Sequence, residues 1–222
     1  MFSKYKYHFL LHFIIFLWGF TGILGKLIHL DALYIVWYRV GIASFVILLY
    51  LLFVKSKLTI DKKHLGKIAL VGLVVAAHWV TFYTSIQWST ASLGILCLST
   101  TTLHVAWLEP LIMKKKFSWL EFSLGLIVVA GIYFVSGDFS SQEYWAVLMG
   151  LISAFLAGFF AVSNAKLVED VPSTHISMYE LAIGFVGLSI YLAMTNNINM
   201  TRFSMAMSDV YWLLFLAVVC TS

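Results

Sequence analysis

Glu109 and Pro110 stand side by side in LHVAWLEPLIMKKKF, residues 103–117, a run otherwise apolar enough to cross a bilayer, five residues before the triplet Lys114, Lys115 and Lys116. A carboxylate at mid-membrane costs about 2.5–3.5 kcal/mol, falling towards the interface, so a chain keeps one for a reason. One reading is structural: at 1.5 Å per residue Glu109 lies about 7 Å from the lysines, and a snorkelling lysine neutralises it. The other is chemical: Glu109 is a carboxylate whose burial favours proton uptake, as coupling to a proton gradient needs. Pro110 has no N–H to donate and its ring clashes with the carbonyl of Ala106, which predicts a kink or loosening of the helix there.

Other polar groups sit inside apolar runs. His78 falls near the middle of one run and His104 past the middle of the next, with Thr100, Thr101 and Thr102 one turn away. Imidazoles and hydroxyls there either bond between helices or line a cavity for a polar substrate. Arg39 lies about 9 Å inside the outer end of its run, where it snorkels, pairs with Asp31, or attracts an anionic group of a substrate. Trp18 and Trp79 are mid-run, unlike Trp37, Trp88, Trp119 and Trp145 at run ends, and either pack or wall a cavity. His8 and His12 are one turn apart without a third ligand, and Met194, Met200, Met205 and Met207 cluster in one loop, so no metal site is expected. No Walker A, HExxH or GxSxG stretch occurs, and no cofactor is expected. Asn199-Met200-Thr201 is a glycosylation acceptor by pattern.

The elements that must position these groups are set by composition. Hydrophobic residues make up 62% of the 222, charged residues 11%, and mean hydropathy is +0.95, which leaves too little polar surface to face water. The chain reads as an all-α integral membrane protein. Its net charge of +4 sits in short lysine clusters between apolar runs, where it orients a membrane protein rather than binding nucleic acid. Cys97 and Cys220 both lie in apolar runs and indicate neither a disulfide framework nor a redox motif.

Seven runs approach the roughly 20 residues a crossing needs: 9–27, 33–54, 68–88, 91–113, 117–136, 145–166 and 176–195. An eighth, 210–222, is about half a crossing. The first run follows a charged stretch like a signal peptide, but it lacks an A-x-A site and reads as a retained helix. With the N-terminus in the cytoplasm, inside segments carry eleven lysines (Lys4, Lys6, Lys55, Lys57, Lys62, Lys63, Lys67, Lys114, Lys115, Lys116 and Lys166), and outside segments carry only Lys26 and Arg202. That asymmetry predicts a multi-pass protein of the cell (inner or plasma) membrane with its N-terminus inside.

WGFTGILGKLIHLDALYIVWYR, 18–39, can be laid over AGFFAVSNAKLVEDVPSTHISMYE, 157–180, with Gly-Phe and Lys-Leu matched and an offset of about 140 residues. Five spans separate the copies, and an odd number makes the second enter from the opposite face, an inverted repeat with its binding site near the midplane. Gly19, Gly22 and Gly25 in the first copy, and Ala154, Ala157, Ala161 and Ala165 in the second, are expected to let backbones approach closely.

Trp18-Gly19, Arg39, the stretch AAHWVTFYTSIQWSTASLGILCLSTTTLHVAWLEPLI with its Glu109-Pro110, and EFSLGLIVVAGIYFV together resemble an EamA-type member of the drug/metabolite transporter superfamily. The resemblance implies two five-helix EamA units, ten helices in all, around a central cavity from which metabolites or drugs are exported. Residues 9–136 would be the first unit, helices 1–5, and 145–222 an incomplete second one, helices 6–8. About 60–70 further residues with two more apolar runs, or a homodimer, would complete the cavity. Glu180 stands where the first copy has Arg39. The expected function is secondary transport, not enzymatic: an exporter of amino acids, related metabolites or drug-like compounds by alternating access, coupled to protons if Glu109 serves that role. Small-molecule substrate and membrane lipids are the expected partners. The alternative is a membrane-embedded enzyme or sensor with His78, His104 and Glu109 as its polar centre.

Overall fold

A computed structural model describes residues 2–135, 140–195 and 205–221, and no strand occurs among them. The helices are α1 (Phe2–Leu27), α2 (Ala32–Phe53), α3 (Lys62–Trp88), α4 (Ala91–Ser99), α5 (Thr101–Met113), α6 (Trp119–Val135), α7 (Ser141–Leu167), α8 (Ser173–Met194) and α9 (Met207–Val218). Arg202, Met200 and the Asn199-Met200-Thr201 pattern lie outside the described residues.

Apolar runs become helices because backbone groups in hydrocarbon must be satisfied within their own segment. Local signals fix the starts. Asp61 caps α3 by accepting from the backbone N–H of Lys63 at 3.3 Å, and that bond holds its carboxyl below the usual range. Thr90 caps α4 through the N–H of Leu93. Ser140 and Glu143 form a reciprocal capping box on α7. Lys114 takes a left-handed conformation, φ 55°, and ends α5.

Among the described residues, six segments are long and apolar enough to cross a membrane: Tyr5–Leu27, Ala32–Phe53, Lys62–Trp88, Ala91–Met113, Ser141–Leu167 and Ser173–Met194. The remaining expected run, 117–136, holds α6, of which 17 residues, about 25 Å of helix, fall among the described residues. Its apolar content is right, but its helix starts only at Trp119, beyond the turn that follows α5.

Within Ala91–Met113 the helix is interrupted at Thr100, and α5 runs through Pro110 to Met113, so Pro110 is not what divides this span. The cause is a run of hydroxyls. Ser99, Thr100, Thr101 and Thr102 each bond the carbonyl three residues back, at 2.5–2.7 Å, competing with the backbone ladder. The N–H groups of Thr100 and Leu103 then also reach back only three residues.

α3 is the hub: it packs most extensively on α7, then on α8, and also on α4, α2 and α1. α2 packs on α8 and α9, while α5 packs on α7 and α6. Small residues set the closest approaches. A Cβ at Gly72 of α3 would lie 2.6 Å from the Glu180 carbonyl oxygen, and one at Gly150 of α7 would lie 2.6 Å from Cys97 Cβ. Of the expected small-residue stripes, Gly22 and Gly25 receive Ile95 and Tyr83, and Ala154 and Ala157 are buried, whereas Gly19 meets nothing and Ala161 and Ala165 are exposed. Exchanging α1 with α7, α2 with α8 and α3 with α9 carries the contact α3–α7 onto α9–α1, α3–α8 onto α9–α2, and α2–α8 onto itself. The contacts of α9 are much less extensive than those of α3 onto which they map, and the α1–α3 and α2–α3 contacts have no counterpart of comparable extent among the described residues.

Candidate functional site

Arg39 is the eighth residue of α2 and only 3% exposed. Its Nε donates to Thr221 Oγ1 at 2.7 Å, its Nη1 donates to the Tyr83 hydroxyl at 2.9 Å, and the guanidinium lies 3.9 Å over the Trp79 ring. These partners come from α3 and the residues after α9, and all are neutral. A desolvated cation over an indole gains about 2 kcal/mol, which offsets part of its removal from water and leaves a net positive charge in the bundle. Thr221 also lines a cavity of about 400 Å³ together with Val46, Ile47, Tyr50, Ser173, Thr174 and Ser177.

His78, the residue before Trp79, faces α7. Its Nδ1 is 2.9 Å from both the carbonyl oxygen and the hydroxyl of Ser153, and the Ser153 hydroxyl donates to the His78 carbonyl at 3.2 Å. An Nδ1–H tautomer donating to the Ser153 carbonyl satisfies this set. The ring stacks on Phe82 and tilts against Phe160. Thr101 bonds the Leu98 carbonyl and reaches the Ala154 carbonyl at 3.3 Å. His104 sets its ring edge-on to Phe155, its Cβ lies near Gly158, and its Nδ1 is buried without a partner. His78, Thr101 and His104 are thus gathered around one stretch of α7, Ser153 to Gly158, while Arg39 and Trp79 form a group of their own.

Glu109 and Trp18 belong to neither group. Glu109 is partly exposed and bound by Lys115 Nζ at 2.5 Å, the partner that the anchoring role requires. Trp18 is exposed on α1. Among the described residues no group of three or more His, Cys, Asp or Glu side chains converges as metal ligands would.

The most deeply buried carboxylate among the described spanning helices is that of Glu180, which the sequence marks only as the counterpart of Arg39 and not as a site residue. Glu180 is the eighth residue of α8, as Arg39 is of α2, each following a tyrosine, and it is 4% exposed. Its Oε2 accepts from Asn164 Nδ2 at 3.1 Å, while its Oε1 and the Asn164 Oδ1 are buried without partners. An unpartnered buried carboxyl oxygen is a place that a proton would satisfy. The alignment of the two copies places Glu180 where the first has Arg39, but the opposite charges gave no sign that both would be buried.

A family model described as the EamA-like transporter family matches residues 6–137. No curated protein and no solved structure matches the chain significantly. With more than half of its length matched and six spans in place, the chain is a multi-pass membrane protein that belongs to the EamA-like transporter family, within the drug/metabolite transporter superfamily.

Proposed function

We propose that the protein is a secondary transporter that exports small metabolites, amino acids or drug-like compounds by alternating access between two inverted five-helix units, residues 9–136 and the unit that begins at 145, with its N-terminus in the cytoplasm. The observation that carries the reading is the burial of Arg39 and Glu180 at the same position of α2 and α8, two helices that pack on each other and map onto each other under the exchange of halves. Charged groups inside a membrane bundle are kept for substrate or ion handling. Arg39, with neutral partners only, suits an anionic group on the substrate. Glu180, with an unpartnered oxygen, suits the coupling proton better than Glu109, which Lys115 neutralises. The enzymatic alternative draws no support from the geometry, because His78, His104 and Glu109 each make a different contact. Comparing intracellular and extracellular metabolites of cells with and without the intact protein tests the proposal: one or more solutes move outward with it, and an unchanged profile counts against it.

A further inference from the structure

At each end of the bundle a connection in one half meets the first turn of a helix in the other half through a histidine and an aspartate. At the end assigned outside by the lysine asymmetry, His29 lies between α1 and α2. Its backbone N–H donates to Oδ1 of Asp209 at 3.3 Å, and its Nδ1 is 3.2 Å from the same oxygen. At the inner end, Asp170 lies between α7 and α8, with its Oδ2 3.8 Å from Nε2 of His64.

The two contacts occupy equivalent places. His29 lies two residues before Asp31, which precedes α2, and Asp170 lies two residues before Pro172, which precedes α8. Asp209 and His64 are each the third residue of their helices, α9 and α3. Exchange of the halves turns one contact into the other with acid and base swapped. Exposure is mirrored too: the loop partners His29 and Asp170 are 80% and 61% exposed, and the helix partners Asp209 and His64 are 4% and 9% exposed.

We infer that His29–Asp209 and His64–Asp170 are the outer and inner gate contacts of the transport cycle, each holding the two halves together at one membrane face and parting when that mouth opens. This rests on the transport reading above. A contact with one exposed partner is weak enough to part in each cycle, and a buried partner in a fixed helix keeps its geometry. The loop that carries His29 is itself clamped to α3 by Gln87, which accepts from Ala32 N at 2.9 Å and donates to the Leu30 carbonyl at 2.7 Å, so it moves with its own half. The inner end has further ties across the halves: His175 Nε2 near Ser56 Oγ and the Lys57 carbonyl, and the Tyr179 hydroxyl on the Leu58 carbonyl. Lys63 near the inner contact is paired with Asp61, and Lys26 near the outer one bonds the Gln87 carbonyl.

The test uses the intact protein in vesicles, with Cys97 and Cys220 replaced by alanine. The pairs His29→Cys/Asp209→Cys and His64→Cys/Asp170→Cys are each oxidised or bridged with a short bifunctional reagent. Ser177→Cys, in the cavity at the start of α8, reports access to an impermeant thiol reagent applied from the inner face. Locking the outer pair is expected to raise labelling of that cysteine, locking the inner pair to lower it, and a reductant to reverse both. Opposite responses uphold the gates even if no solute is found to move, in which case only the transport reading fails. Bridges that form without changing labelling, or that leave solute movement intact, overturn the gate assignment. The swap His29→Asp/Asp209→His, made beside Ser177→Cys with no pair to lock, is expected to keep the labelling of that cysteine closer to that of the unswapped protein than either single change does, which guards against a folding artefact; an equal departure in all three contradicts the contact.

Discussion

Arg39 and Glu180 stand at the eighth position of two helices that pack on each other, one buried guanidinium and one buried carboxyl group, each about 10 Å from its helix start. They are not each other's partner: the guanidinium is held by Tyr83, Thr221 and Trp79, and the carboxylate by Asn164. Equivalent places thus hold groups of opposite sign in separate neutral surroundings, which is why the proposed transport reading gives one an anion and the other a proton.

Replacing Arg39 by lysine keeps the charge but loses the fork that serves Thr221 and Tyr83 together and the flat stack on Trp79. Arg39→Lys is expected to lower unfolding stability in detergent by about 1–3 kcal/mol and to reduce export of anionic solutes more than neutral ones. Wild-type stability and an unaltered solute profile would show that the site does not depend on guanidinium geometry.

Glu180→Gln keeps shape and the Asn164 bond while removing the charge from a buried place. The variant should be at least as stable as the parent, since a desolvated carboxylate no longer has to be accommodated. Transport by it should lose its pH dependence, whereas Glu109→Gln keeps it. The reverse pattern, measured by export rates between pH 5.5 and 8 as a conventional range around neutrality, would return the coupling role to Glu109.

The glycines separate packing from propensity. A methyl at Gly72 meets the Glu180 backbone at 2.6 Å, so Gly72→Ala must push α3 and α8 apart and should cost about 1–3 kcal/mol. Gly66, on the same helix, has open space, and Gly66→Ala should gain about 0.5–1 kcal/mol from helix propensity. Thermal unfolding of both variants in one detergent checks the sign of each.

Orientation is tested by labelling in intact cells. A cysteine from Lys62→Cys should be shielded from an impermeant reagent and one from Ser140→Cys should react, because the lysine asymmetry places these exposed positions on opposite faces. Labelling of the first and not the second would invert the topology, and with it the assignment of the inner and outer contacts.

The sequence showed where charge and ring nitrogen interrupt apolar runs, and those residues were legible because hydrocarbon tolerates them only for a reason. Arg39 and His78 proved buried for that cause. Their partners were not legible: Tyr83 is 44 residues from Arg39, Thr221 is 182, and Ser153 is 75 from His78, and nothing in the local pattern of Ser153 or Tyr83 marks them. The kink or loosening expected at Pro110 rests on an effect that is local and known. The competition of four successive hydroxyls at Thr100, which is cooperative, was not weighed. Trp18 is exposed on α1, because which face of α1 meets the bundle depends on neighbours that periodicity cannot reveal in a run apolar all round. Glu180 shows the converse: the alignment located it, and only packing against Gly72 and Asn164 showed that its burial matches that of Arg39.

The most direct test of the central claim is solute movement in proteoliposomes of the intact protein, loaded with a metabolite extract and given a proton gradient. The account predicts that at least one solute leaves faster than from protein-free vesicles, that collapsing the gradient slows it, and that Glu180→Gln removes the response to the gradient. Identical solute loss with and without protein, across the whole extract, would contradict it.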